Sequence, residues 1–89
     1  MAQAVKVPKF VRDLVAALTA YYPGAEIDVE RVPRTNRYRL LMVSPRFDRI
    51  GHLRRQHKVW DIVQETLEDK DLVRISMIVT LSPKEFATP

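Results

Sequence analysis

The sequence predicts one α+β domain, an α-β-β-α-β sandwich whose three-stranded sheet carries both helices on one face. Three observations point there. Two stretches of helical apolar spacing are separated by stretches of alternating or continuous apolar residues. The Pro residues and both Gly fall at or near the edges of those stretches. The 89 residues, 46% hydrophobic and 29% charged, suffice for one small core and leave no room for a second. The domain is read as residues 1–89, with its core over about 8–86.

The first helix opens at Pro8, whose missing N–H is not needed in a first turn. Phe10, Val11, Leu14, Val15 and Leu18 then recur at i, i+3, i+4 spacing, and Tyr22-Pro23-Gly24 ends the run. Ala25 to Val32 alternates, with Ile27 and Val29 between Glu26, Asp28 and Glu30, as a half-buried strand does. Pro33 to Asn36 is a turn, and Arg37 to Ser44 a second strand. If Val32 faces Arg37, then Glu30 faces Arg39, Val29 faces Leu40 and Ile27 faces Met42. That register puts the apolar residues on one face and pairs Glu30 with Arg39 on the other. Ser44 to Asp48 breaks the strand, and a helix follows over about Ile50 to Leu67, with either Asp48 as its N-cap or Arg49–Gly51 as an irregular first turn. Its expected inner stripe is Leu53, His57, Trp60, Val63 or Gln64 and Leu67, widened by Val59 and Ile62. After a polar loop at 68–71, Leu72 to Leu81 reads as a third strand with Val73, Ile75, Met77, Val79 and Leu81 inward. Leu41, Val43 and Ile78 would then lie on the outer face, where a partner, a second copy or the terminal tail could cover them. Ser82-Pro83-Lys84-Glu85 has the form of a capping box for a short terminal turn holding Phe86.

Composition removes several function classes. The chain has no Cys, which excludes disulfides, thiolate metal sites and a Cys nucleophile of its own. No apolar run approaches the roughly 18 residues of a membrane span, and the start shows no leader pattern, so a cytoplasmic location is expected. There is no Gly-rich phosphate loop, no His-Glu-x-x-His and no Gly-x-Ser-x-Gly. No enzymatic activity and no cofactor are expected. Asp48 and His52, four apart, read as a local ion pair rather than a catalytic dyad.

Charge is where the sequence is most informative. Residues 31–60 carry nine cations, eight of them Arg, against the single anion Asp48, while the flanking thirds are mildly acidic. Arg forks onto phosphate and carboxylate oxygens. Arg46, Arg49, Arg54, Arg55 and Lys58 fall on one loop and the start of one helix, with Arg37 nearby in sequence. This set is the candidate surface for nucleic acid or another acidic partner. A solvated face paired with acids from the flanking segments gives the same count. Trp60 and the Tyr21-Tyr22 pair offer aromatic rings for base stacking, although Trp60 sits on the expected core stripe. His57 is the one candidate metal ligand, and a helix-surface or partly buried histidine with a local hydrogen bond is the reading preferred for it.

Two stretches carry a family resemblance. Leu41 to Phe47 followed by Leu53-Arg54-Arg55-Gln56-His57-Lys58-Val59-Trp60, and Arg74 to Phe86 with its Thr80-Leu81-Ser82-Pro83-Lys84-Glu85-Phe86 ending, resemble the BolA-like family. That resemblance implies a variant of the class II KH fold. It also implies a partnership with a monothiol glutaredoxin around a shared [2Fe–2S] cluster, or, as in some members, DNA binding. A gapless match places Gln56 at the family's hallmark His, with His57 one position later. Arg74 stands at the second His position, and the hairpin turn is shorter than the ligand-bearing loop of many members. Two registers stay open, one with Gln56 replacing the His and one shifted to His57. The KH Gly-x-x-Gly loop is missing. The expectation is a non-enzymatic binding protein that takes nucleic acid, DNA ahead of RNA, on the basic loop and second helix. An adaptor for a monothiol glutaredoxin is the alternative, and a homodimer through the outer sheet face a third. Arg54→Glu with Arg55→Glu should abolish binding in either of the first two cases.

Overall fold

The computed structural model describes residues 7–87. Residues 1–6, read above for a leader, and residues 88–89 lie outside it. Among the described residues the elements are α1 (Lys9–Tyr21), β1 (Glu26–Arg31), β2 (Tyr38–Val43), a 3₁₀ turn (Pro45–Phe47), α2 (His52–Thr66), α3 (Asp69–Leu72), β3 (Ile75–Leu81) and α4 (Pro83–Ala87). The sheet order is β1-β2-β3. The central strand β2 runs antiparallel to β1 and parallel to β3. A parallel neighbour cannot be reached by a hairpin, so α2 is the crossover between β2 and β3.

Both turns before β2 use the same local chemistry. After α1 the Ala25 amide donates to the Tyr22 carbonyl at 3.0 Å, closing a turn with Pro23 second and Gly24, φ 87°, third. The third position of such a turn needs positive φ, which Gly adopts without strain. In the hairpin the Thr35 amide donates to the Val32 carbonyl at 3.1 Å, with Pro33 second and Arg34 at φ 66°. The Thr35 hydroxyl braces this turn, donating to Val32 O at 2.8 Å and accepting from the Arg37 amide at 3.0 Å. The expected register follows: Glu30 faces Arg39, Val29 faces Leu40 and Ile27 faces Met42. The expected Arg39–Glu30 ion pair forms at 2.8 Å.

One core lies between the sheet and the two long helices. Val11, Leu14 and Leu18 of α1 and Val59, Ile62 and Val63 of α2 meet Leu40, Met42, Ile75 and Ile78 of the sheet, with Phe47 fully buried at the end. Arg74 ties α1 to the hairpin end. Its guanidinium lies 4.6 Å over the Phe10 ring and donates through Nε to the Asn36 carbonyl at 2.9 Å.

Three expectations about the second half need correction. The chain after Glu68 first makes the helical turn α3, and β3 begins only at Ile75, leaving Val73 exposed. Within β3, Tyr38 pairs with Ile75 but Arg39 pairs with Met77, so Ser76 is an extra residue in a bulge. A bulge shifts the alternation by one. Ile78 and Thr80 therefore turn inward and are buried, while Met77 and Val79 face out beside Leu41. Val43, expected on the outer face, is buried as well. The third correction concerns α2. It starts at His52 after Gly51, with no side-chain cap, and Asp48 instead follows the 3₁₀ turn. Its buried face is Arg55, Val59, Ile62 and Val63, while Leu53 is 72% exposed and His57 lies at the surface.

Candidate functional site

The inner face of α2 is polar at its start, and the polarity is fully used. The Arg55 guanidinium is buried, 3% exposed as a residue. Its Nε donates to Ile50 O at 2.7 Å, and its Nη1 to Thr80 O at 3.1 Å. Both Nη atoms fork onto the Glu85 carboxylate, at 2.6 and 3.1 Å, and the guanidinium carbon sits 5.5 Å from the Phe47 ring centre. Glu85 is itself fixed by the expected capping box. Its Oε1 accepts from the Ser82 amide at 2.8 Å, and its own amide donates to Ser82 Oγ at 3.3 Å. The Arg55 hydrogen bonds, and then the Ser82 amide, hold the Glu85 carboxyl down at about 2. Arg55 therefore clamps α4 to α2 and the sheet.

Gln56 continues this clamp. Its Nε2 donates to Ile78 O at 2.9 Å and to Thr80 Oγ1 at 3.1 Å, and its Oε1 accepts from the Trp60 indole at 3.1 Å. The Leu81 carbonyl accepts from the Ser44 amide on the β2 side, so the carbonyls of Thr80 and Ile78, one and three residues earlier, point to the open edge of β3. Those are the acceptors an added strand would use. Arg55 and Gln56 occupy both, which closes that stretch of the edge.

The outer face of α2 is different. Arg54 and Lys58 are exposed, one helical turn apart, and Lys58 shares an open groove of about 320 Å³ with Arg46, Tyr21, Tyr22, Asp61 and Glu65. Arg49, exposed at φ 67°, lies in the loop joining the 3₁₀ turn to α2. Among the described residues none of Arg46, Arg49, Arg54 and Lys58 forms an ion pair. Of the sequence-predicted set, Arg46 and Lys58 meet in this groove, Arg54 lies one turn before Lys58 on the same helix line, and Arg49 lies in the adjoining loop. Arg37 does not join them: it lies at the hairpin end of β2, roughly 20 Å of strand from the 3₁₀ turn at ~3.3 Å per residue. Arg55 is removed from the set by its burial. His52 lies 3.8 Å from Glu85 rather than pairing with Asp48.

Neither a scan against protein-family models nor a search of curated proteins finds a match. Solved structures do match. BolA1 from Arabidopsis thaliana superposes with a TM-score of 0.68 at 16% identity, over 93% of this chain and 100% of that one. The XC975 protein, solved in solution, superposes with a TM-score of 0.58 at 22% identity, over 90% of this chain and 96% of that one. The fold is BolA-like.

The resemblance to BolA-like proteins implied an iron–sulfur cluster held jointly with a glutaredoxin, and the residues present do not fit one. Gln56, at the hallmark position, points into the β3 edge with its amide fully engaged, and an amide is no substitute for imidazole or thiolate. Arg74, at the second position, is stacked on Phe10. The neighbouring His57 is on the exposed side of the helix, so no shifted register brings it to the β3 edge. Among the described residues no three His, Cys, Asp or Glu side chains gather where a metal could sit.

Glu85 and the acids of the groove were missed as functional partners in the sequence. Arg54, Lys58, Asp61 and Glu65 stand at offsets of four, three and four, which places all of them on one helix line. That spacing was readable. The Arg55–Glu85 pair spans thirty residues and left no local trace.

Proposed function

We propose that this chain is a non-enzymatic BolA-like binding protein that takes nucleic acid, DNA ahead of RNA, on the surface formed by Arg46, Arg49, Arg54 and Lys58. The observation that carries the reading is that these four cations are exposed and without ion-pair partners among the described residues, whereas Arg39 and Arg55 are paired internally. Phosphate contacts need such available cations, and each neutralised phosphate adds about 0.9 to the salt slope on duplex and about 0.7 on single strands. The uncapped start of α2 supports the reading, because its first amides are not taken by a side-chain cap and its dipole favours an anion. The BolA-like fold is compatible with this use and does not select it.

The test is a titration with labelled DNA, as duplex and as strand, and with labelled RNA, at about 50 and about 150 mM salt. Arg46→Glu with Lys58→Glu is the variant, since both side chains are exposed. Arg55→Glu is unsuitable, because it would set a second carboxylate against Glu85 and unfold the clamp. Salt-steep binding that the double variant loses, with its fold retained by circular dichroism, supports the reading. Absence of binding at low salt overturns it and leaves the monothiol-glutaredoxin adaptor as the reading to test by pull-down.

A further inference from the structure

We infer that the nucleic acid on this surface is taken as a single strand, with one base laid against Tyr21 in the groove between α1 and α2. The inference rests on the nucleic-acid reading above and narrows it.

The first observation is the charge order along α2. Arg54, Lys58, Asp61 and Glu65 share one helix line, cationic in the first turns and anionic in the later ones. A helix laid lengthwise in a duplex groove runs between two walls of phosphates. On this helix the same placement would set Asp61 and Glu65 against phosphates, a like-charge contact that opposes docking. Only the first turns of α2, with Arg46 and Arg49, suit a phosphate backbone. That is a short contact, the scale of one or two nucleotides.

The second observation is the groove itself. Its about 320 Å³ are lined by Arg46 and Lys58 and by the carboxylates Asp61 and Glu65. Tyr21, 56% exposed, lines it from the end of α1. Its neighbour in the chain is anchored in the core. Tyr22 is buried and packs against Phe47 with ring centres 5.1 Å apart. The groove thus combines cations, an exposed aromatic ring and carboxylates within one base-sized space. The cations suit a phosphate, the ring suits a base face, and the carboxylates accept hydrogen bonds from base amino groups. A duplex hides base faces and turns its amino groups inward or into a groove too wide for this cleft. A single strand presents all three features together.

Fluorescence anisotropy with a labelled strand of about 12 nucleotides and the duplex of the same sequence, at about 50 mM salt, tests this. The strand should bind about tenfold more tightly than the duplex. Tyr21→Ala should weaken the strand about tenfold and leave the duplex unchanged, and Tyr21→Phe should restore the strand, since stacking needs the ring and not the hydroxyl. Asp61→Asn should strengthen the duplex and not the strand. Duplex binding equal to strand binding, or strand binding indifferent to Tyr21→Ala while Arg46→Glu abolishes it, overturns the inference and leaves the nucleic-acid reading standing. Binding of neither form overturns both.

Discussion

Arg54 and Arg55 are neighbours in the chain and opposites in the fold. Arg54 is exposed on the outer line of α2, without an ion pair among the described residues. Arg55 is buried on the inner line, with its guanidinium shared among two carbonyls and Glu85. The same contrast runs through the helix start, where Gln56 bonds β3 and accepts from Trp60 on one side, and Lys58 lines an open groove on the other. The lesson is that a run of cations is not a surface. Of the nine cations in residues 31–60, Arg31 donates to the Thr35 carbonyl, Arg39 pairs with Glu30 and Arg55 with Glu85. Only the remainder is available to a partner.

The largest effect should come from Arg55. Replacing it with Ala removes the ligand of two carbonyls and the anchor of α4, and should cost about 3 kcal/mol or more, as losses from buried charged networks do. Lys at this position should not rescue, because an ammonium lacks the fork that spans Glu85 while Nε reaches Ile50. Urea unfolding midpoints of the two variants check both statements. If Arg55→Ala costs no more than Arg54→Ala, the distinction between the two faces fails.

Next in size is the acid limb of stability. The Glu85 carboxyl in the folded protein sits at about 2 against an ordinary value of 4.5. A depressed folded value means the contribution is complete above the unfolded value and is lost as pH falls from about 4.5 towards about 2. Unfolding followed over that window should show a stability decline that Glu85→Gln flattens. An unchanged acid limb in the variant would mean that Arg55 does not hold this carboxylate in solution.

Gln56 should come third. Gln56→Leu keeps the volume but leaves the Ile78 carbonyl and the Trp60 indole without their partner, at a cost of about 1–3 kcal/mol. It also uncovers part of the β3 edge, so self-association should rise with concentration in light scattering. A stable, monomeric Gln56→Leu would show that the amide is dispensable and the edge protected by other means.

How far the sequence announced this arrangement depends on how local each signal was. The hairpin register was legible because Pro33 to Asn36 fixes the turn and Ile27 and Val29 alternate with acids, so a slip would bury charge. The capping box at Ser82 and Glu85 was legible for the same reason, since cap and partner lie three residues apart. In β3 both parities hold aliphatic residues, and alternation could not reveal the bulge at Ser76 that turns Ile78 inward and Met77 outward. On α2 the hydrophobic stripe misled because the inward positions at its start are Arg55 and Gln56. Their burial depends on acceptors in β3 and α4, twenty to thirty residues away, which no helical periodicity encodes.

The smallest change in stability should belong to Arg54, and that is what makes it the sharpest probe of the comparison. An exposed side chain with no partner contributes within about 0.5 kcal/mol, so Arg54→Ala should unfold at the wild-type urea midpoint. Its effect should appear in binding instead. Removing one phosphate contact should lower the salt slope by about 0.7 to 0.9 and weaken affinity at low salt for every sequence alike, because phosphates carry no sequence information. The pair of measurements separates the two jobs of one helix: Arg55→Ala moves the midpoint, Arg54→Ala moves the slope. An Arg54→Ala variant with both the wild-type midpoint and the wild-type slope would take Arg54 out of the interface and shift the contact onto Arg46, Arg49 and Lys58.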